Sequence, residues 1–298
     1  MSSRHSIEDE STNIDDSITI NFTFPLLGAH VSSEKTLYET LTRCVQYGMY
    51  ACQFFLGSPQ SFIRKTVEED DIQKCLSLLK KYPTHVFSHA PYVINLAGSS
   101  DGNDMSKIDK CIQALEHELD VMSKLGGGVV LHPGVSKDRK KGLENVASSI
   151  SSICFKPGYK LLLEVMAGQG NSLGSTLEEL KEIYENVSDD KKEYIYFCMD
   201  TAHLWGKGLY HLDKIEEVER LFSDMDRVLE KRVVLIHLND SAVECGSCVD
   251  RHELIADGKI WNTEASKEAL ATLMKNAIDR NIPCVLETHG IDMKKFYL

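Results

Sequence analysis

The chain has 298 residues, 42% of them hydrophobic and 26% charged, ordinary values for a globular protein with a full core. Its length suits one α/β barrel of roughly 250 residues, and no apolar run approaches the roughly 20 residues of a membrane span, so no membrane partner is expected. The formal net charge of −12 speaks at face value against a nucleic-acid partner, whose phosphates attract lysine and arginine.

The chain begins MSSRHSIEDESTNIDDS, which lacks the apolar core of a signal peptide and the arginine richness of a transit peptide. Residues 1–20 read as an acidic, disordered tail. Arg4 stands there against Glu8, Asp9, Glu10, Asp15 and Asp16, a net of −4, which leaves −8 for the rest of the chain. Apolar runs then recur: FPLLGAH (24–30), YACQFF (50–55), THVFSH (84–89), GVVLH (128–132), KLLLEV (160–165), YIYFCMD (194–200), RVVLIHL (232–238) and IPCVLE (282–287). Segments with apolar residues at helical spacing lie between them, among them 70–82, 105–126, 175–187 and 263–281. Near-continuous apolar strands alternating with amphipathic helices predict a parallel sheet with helices packed on it. Eight such units predict a single (β/α)8 TIM barrel over residues 21–298, without a short repeat, a linker or a second domain. The closing GIDMKKFYL leaves room for only a short or truncated eighth helix. Either the barrel is lightly closed there, or residues before the first strand cover the gap.

Nine cysteines (Cys44, Cys52, Cys75, Cys111, Cys154, Cys198, Cys245, Cys248 and Cys284) are an odd number, mostly inside apolar runs. They fit free thiols in a reducing, intracellular compartment better than a disulfide framework. Cys245 and Cys248, in CGSC, are the one pair at metal or redox spacing, and a lone C-x-x-C is a weak signal.

In such a barrel the active site lies at the carboxyl ends of the strands. Those ends carry His30, His89, His132, Glu164, Asp200, His237 and Glu287; only the second strand lacks one. His, Asp, Glu and Cys are roughly a fifth of the chain, so chance supplies about two of eight. A single loop histidine is more often hydrogen-bonded than a ligand, and a lone Glu164 would serve as a salt-bridge partner. Together these readings fail, because convergent unpaired carboxylates repel one another and lose solvation. Dications remove both costs. Imidazole with carboxylate suits zinc, then manganese or iron, and no cysteine stands at these ends to suggest a structural zinc site. Asp250 and His252 in VDRHELIADGKI alternate by two, so an extended segment points both the same way. Asp200 ends its strand and faces one ion, whereas His203, one turn on, faces another. Three dications would bring the −8 to about −2, so charge does not exclude a nucleic-acid partner.

The ordered stretches GAHVS (28–32), SHAPYVINLA (88–97), LHPG (131–134), LLLEVMAGQG (161–170), CMDTAHLWGKG (198–208), IHLNDS (236–241), DRHELIADGKI (251–260 with its leading Asp250) and LET (286–288) resemble endonuclease IV. These are zinc-dependent apurinic/apyrimidinic endonucleases with a TIM-barrel fold, and the similarity covers almost the whole barrel. ECGSCVDRH and GKIW look more like the forms carried by large DNA viruses than the bacterial ones. The resemblance implies a trinuclear site: His89, His132 and Glu164 for one ion, with Glu164 bridging to a second held by Asp200, His237 and Glu287. His203, Asp250 and His252 would hold the third. It implies three Zn2+ per chain, with Mn2+ or Fe the alternatives at one position, a hydroxide shared by the pair, and lesion phosphate on the third. Glu164 and Glu287 carry the catalytic assignment. The implied partner is double-stranded DNA with abasic sites or blocked 3′ ends, cut 5′ to the abasic sugar to leave a 3′-hydroxyl and a 5′-deoxyribose phosphate. A monomer is expected.

Tyr92 matches a family tyrosine near the flipped-out nucleotide, and His30 a first-strand histidine near the metals. The loop after the second strand departs from the family's Asn-Pro-Arg, whose arginine enters the DNA stack. Here Ser58, Pro59 and Gln60 stand in its place, with Arg64 or Phe62 as substitutes for DNA contact. Two rival readings remain: a divalent-metal sugar isomerase or epimerase, which would use Glu164, Asp200, His237 and Glu287 alone, and a non-catalytic binder of damaged DNA.

Overall fold

The computed structural model describes residues 26–98 and 105–288. The expected acidic tail, the start of the first strand candidate and the short eighth helix lie outside the described residues. In chain order the elements are β1 (Leu27–His30), α1 (Leu37–Gln46), β2 (Ala51–Phe54), α2 (Glu69–Lys81), β3 (His85–His89), α3 (Met105–Lys124), β4 (Gly128–Leu131), α4 (Arg139–Ser151) and β5 (Leu161–Glu164). There follow α5 (Leu177–Asn186), β6 (Ile195–Asp200), α6 (Thr201–Lys207), α7 (Ile215–Val228), β7 (Val233–His237), β8 (Asp240–Ser241), β9 (His252–Glu253), α8 (Glu264–Asp279) and β10 (Cys284–Leu286).

Eight strands form a closed parallel barrel in the order β1-β10-β7-β6-β5-β4-β3-β2. The chain is thus an α/β protein with the expected (β/α)8 architecture. Closure at β1 and β10 uses the pairs Leu27↔Cys284, Gly28↔Val285 and Ala29↔Leu286, so strand hydrogen bonds shut the sheet. Helix starts follow from their caps. Thr36 closes a capping box with Glu39 on α1, Thr263 does so with Ser266 on α8, and Thr176 caps α5.

The period of two along a strand explains where the polar residues stand. Ala51, Phe87, Val130, Leu162, Cys198, Leu235 and Val285, one from each of seven strands, form an apolar plug separate from the core beneath the helices. Two residues further along each strand come Gln53, His89, His132, Glu164, Asp200, His237 and Glu287. On β1 the corresponding pair is Gly28 and His30. A Cβ at Gly28 would sit 1.5 Å from the Ala51 carbonyl oxygen, so only glycine fits where β1 and β2 close the plug. The barrel therefore lifts one polar side chain per strand onto an apolar floor.

His203 follows on α6, and Asp250 and His252 arrive on the long loop after β7. Its β8–β9 hairpin pairs Ser241 with His252. Asp240, fully buried, accepts hydrogen bonds from the backbone N–H groups of Ser241 (2.7 Å), Ala256 (3.0 Å), Ile260 (2.8 Å) and Trp261 (3.3 Å). One carboxylate thus folds the loop back on itself. Asp240→Ala strands those donors and is expected to cost about 3 kcal/mol in a urea titration, near the top of the range for a buried group left unsatisfied. An unchanged midpoint would mean that the loop is held by its apolar contacts instead.

Candidate metal centre

Glu164, at the end of β5, is 1% exposed and is the common neighbour of four imidazoles. Its Oε2 lies 3.1 Å from His132 Nε2 and 3.4 Å from His89 Nε2; its Oε1 lies 3.0 Å from His237 Nδ1 and 3.5 Å from His203 Nδ1. Asp200 and Glu287 approach His237 Nδ1 at 3.9 and 3.3 Å. On the loop side, Asp250 touches His203 Nε2 at 3.1 Å and His252 Nε2 at 3.2 Å, and His252 Nε2 is 3.5 Å from Asp200 Oδ2. Three sets of donor atoms converge within 4.8 Å: His89, His132 and Glu164; Glu164, Asp200, His237 and Glu287; and Asp200, His203 and His252. Asp250 adjoins the last set through both of its imidazoles.

Local structure decides which atom each side chain presents. His89 Nδ1 and His203 Nδ1 each lie 2.8 Å from a backbone carbonyl oxygen, of Ala90 and Val165 respectively, so each donates there and turns Nε2 to the centre. Asp200 also caps α6: its Oδ1 accepts from His203 N at 2.8 Å, so the cap that starts the helix also sets the histidine's position. The Asp250 N–H donates to Gln169 Oε1 at 2.8 Å.

Electrostatics point the same way. Burial pushes the Glu164 carboxyl up, but His237 and His132 outweigh it and hold it well below the ordinary carboxylate range. Burial lowers His203, yet Asp200, Asp250 and Glu164 raise it to about 10; burial raises Asp250, yet His203 brings it down to about 2. Without a cation, the carboxylates thus favour protonated His203 and His237. A metal ion competes with those protons, so its uptake releases them.

The donors fit divalent metal. Glu164 Oε2, His203 Nε2 and His252 Nε2 are buried with only ion-pair contacts and no well-aligned hydrogen bond, a costly state for polar atoms that a bound cation relieves. Nitrogen and oxygen donors without a thiol suit zinc, then manganese or iron. Cys245 and Cys248 are half-buried free thiols in a loop whose Gly246 and Cys248 N–H groups bond Trp205 and Gly206 carbonyls; they join none of the three sets.

Two amides escaped the search for acids and imidazoles. Gln53 occupies the one strand end that carries neither, and Asn239 donates to Asp200 Oδ2 at 2.7 Å and Glu287 Oε2 at 3.0 Å. Counting two residues on from each plug residue would have found Gln53. His30 stands beside the sets, its Nδ1 3.0 Å from Gln53 Nε2 and 3.9 Å from Glu287. Tyr92 faces His132 with ring centroids 5.6 Å apart and meets His89 edge-on at 5.3 Å.

The loop after β2 differs from expectation at Arg64. Its side chain is 3% exposed and pairs with buried Glu118 at 3.2 Å while donating to the Ser58 and Ser61 carbonyls. A guanidinium so engaged ties the loop to α3 and cannot reach a phosphate. Phe62 packs partly on the core, whereas Gln60 is exposed and Ile63 is 82% exposed.

A family profile described as the xylose isomerase-like TIM barrel matches residues 41–292. The "Probable endonuclease 4" of Aster yellows witches'-broom phytoplasma is 34% identical over 286 residues, covering 91% of this chain and 92% of that protein. The crystal structure of endonuclease IV from Thermus thermophilus is similar with TM-score 0.72 and 27% identity, over 89% of this chain and 92% of that one. A D-tagatose 3-epimerase-like protein shares the fold alone: TM-score 0.61 and 19% identity, over 87% and 89%.

The buried Arg64–Glu118 pair generates a stability prediction. Burial pushes Glu118 from 4.5 up to about 7, against the pull of Ser88 and Arg64. The folded state therefore holds a proton that the unfolded state has released, and stability falls as pH rises from about 4.5 to about 7. Glu118→Gln should flatten that slope. Above that window, where Glu118 is ionised, Arg64→Ala should cost about 3 kcal/mol by leaving the carboxylate unpaired; urea titrations at both ends of the window read the two effects.

Proposed function

We propose, from the premise that the chain belongs to the xylose isomerase-like TIM-barrel family and within it to the endonuclease IV proteins, that it is a zinc-dependent endonuclease of base excision repair. Its substrate is duplex DNA, hydrolysed 5′ to an abasic site to leave a 3′-hydroxyl and a 5′-deoxyribose phosphate, with clearing of blocked 3′ ends. The observation that carries this reading is the surplus of donors. A sugar-epimerase site accounts for Glu164, Asp200, His237 and Glu287 but leaves the convergence of His89, His132, His203, Asp250 and His252 without a task. A mere DNA binder has no use for any of them.

Three ions per chain would be held as the donor sets suggest, with Glu164 common to two sets and Asp250 completing the third. Zinc bound there supplies Lewis acidity and a water activated at neutral pH, which in-line phosphodiester hydrolysis requires. The chain's own residues do the rest. Phe55 and Tyr92 wall the His89 side of the centre and restrict water, with Tyr92 offering its ring to the abasic sugar. Gln169 holds the Asp250 backbone, and Asn239 holds Asp200 and Glu287 in register. Six buried free cysteines support a reducing, intracellular setting, and a monomer suffices because every donor comes from one chain.

DNA contact falls to an apolar rim rather than to Arg64. Ile63, Tyr92 (57% exposed) and Val135 (52% exposed) are the three most exposed large apolar side chains among the described residues. They sit on three consecutive loops, after β2, β3 and β4. The loops are tied together: Tyr92 N donates to the Pro59 carbonyl, and Asn95 bridges to both backbone groups of Val135. An apolar edge beside the centre suits the faces of bases next to a missing one.

Glu164→Gln is expected to reduce abasic cleavage at least about 100-fold and to lower zinc content; full activity would sink the mechanism. His203→Ala should take zinc from about three to about two per chain, and an unchanged count would return ground to the sugar-enzyme reading. Ile63→Ser should weaken binding to abasic duplex about 10-fold, as loss of one buried aliphatic contact would, while the cleavage rate at saturation and the salt slope stay the same. Equal affinity of the two proteins in a titration would remove Ile63 from the interface.

A further inference from the structure

We infer that Gln53 is the positioning residue that sets which nitrogen His237 presents to the metal centre. The inference rests on the metal reading above and concerns a side chain that is neither acid, imidazole nor thiol.

Gln53 stands on β2 opposite His30 of β1 in the strand register, and its side chain is fully buried. Its amide reaches three groups at once. Nε2 donates to Glu287 Oε1 at 2.7 Å and lies 3.0 Å from His30 Nδ1; Oε1 lies 2.9 Å from His237 Nε2. The amide has only one orientation that satisfies all three. An ionised Glu287 can only accept, so the amide nitrogen must face it, and the oxygen must then face His237. A carbonyl oxygen carries no proton, so His237 Nε2 must carry it. In the neutral ring that binds a metal, the His237 lone pair is then left on Nδ1, which is the atom 3.0 Å from Glu164 and 3.3 Å from Glu287.

The same amide acts on His30. Its nitrogen has two hydrogens, one for Glu287 and one for His30 Nδ1, so the Nδ1 lone pair accepts from Gln53 and is withdrawn from the metal. His30 stands at the end of its strand, 3.9 Å from Glu287, outside the three donor sets. His89 and His203 are oriented through backbone carbonyls and present Nε2; His237 alone among these presents Nδ1, and its opposite nitrogen is the one held by a side chain. A single substitution can release it.

Partners that orient a metal-bound imidazole typically govern metal affinity by 10–100-fold. Gln53→Leu, of similar volume, and Gln53→Met, unbranched, remove the amide and keep the fill. Competition against a chromophoric zinc chelator should show one of three zinc ions weakened 10–100-fold in either variant and the other two unchanged. Purified wild type labelled with 15N in histidine, loaded with zinc, should show the His237 ring proton on Nε2. A ring proton on Nδ1 overturns the inference, whether or not either variant folds. So does a variant that holds all three ions as the wild type does. A wild type that takes up no zinc overturns the metal reading itself, and the inference with it.

Discussion

A carboxylate buried to 1% exposure beneath four imidazoles is the constraint on which the rest depends. Placed there alone, Glu164 would lose its hydration with nothing in return, and the group would take a proton. His237 on one oxygen and His132 on the other reverse that outcome and keep it charged. Each imidazole around it must then present either a proton to the carboxylate or a lone pair to a cation shared with it. Much of the surrounding hydrogen bonding is what fixes that atom.

Two scaffolds of different stiffness meet at this carboxylate. The barrel supplies His89, His132, Asp200, His237 and Glu287 from an alternation that leaves no freedom, since moving one strand by a residue would exchange the polar ring for the helix-facing core. The loop after β7 supplies Asp250 and His252, and its shape depends on Asp240 and four backbone N–H groups. His203 joins the two, because its backbone is capped by Asp200 and its ring faces Asp250.

The surface around the mouth follows a different logic from its interior. A chain with net charge −12 does not cover this face with arginine, and the one arginine of the loop after β2 is turned inward against Glu118. The pairing gives that loop a stiff base. On it stands Ile63, so the charge that sequence placed at the surface serves to hold out an aliphatic side chain.

The barrel was legible in the sequence because its strands are buried on both faces and read as apolar runs, with observed ends within one or two residues of those expected for most strands. The donors were legible because acids and imidazoles at the ends of apolar runs are chemically conspicuous, and Asp250 with His252 share an extended segment. Gln53 and Asn239 were not, since a neutral amide at a strand end carries no signal until its neighbours across the barrel are known: Gln53 meets His237 and Glu287, 184 and 234 residues away. Arg64 departs from expectation for the same reason, because its partner Glu118 lies 54 residues on, and only packing of the loop on α3 turns the guanidinium inward. Sequence determined which side chains of strong chemistry stand at the barrel mouth. Tertiary structure decided which of their atoms face inward, because that depends on hydrogen-bond partners that meet only when the sheet closes.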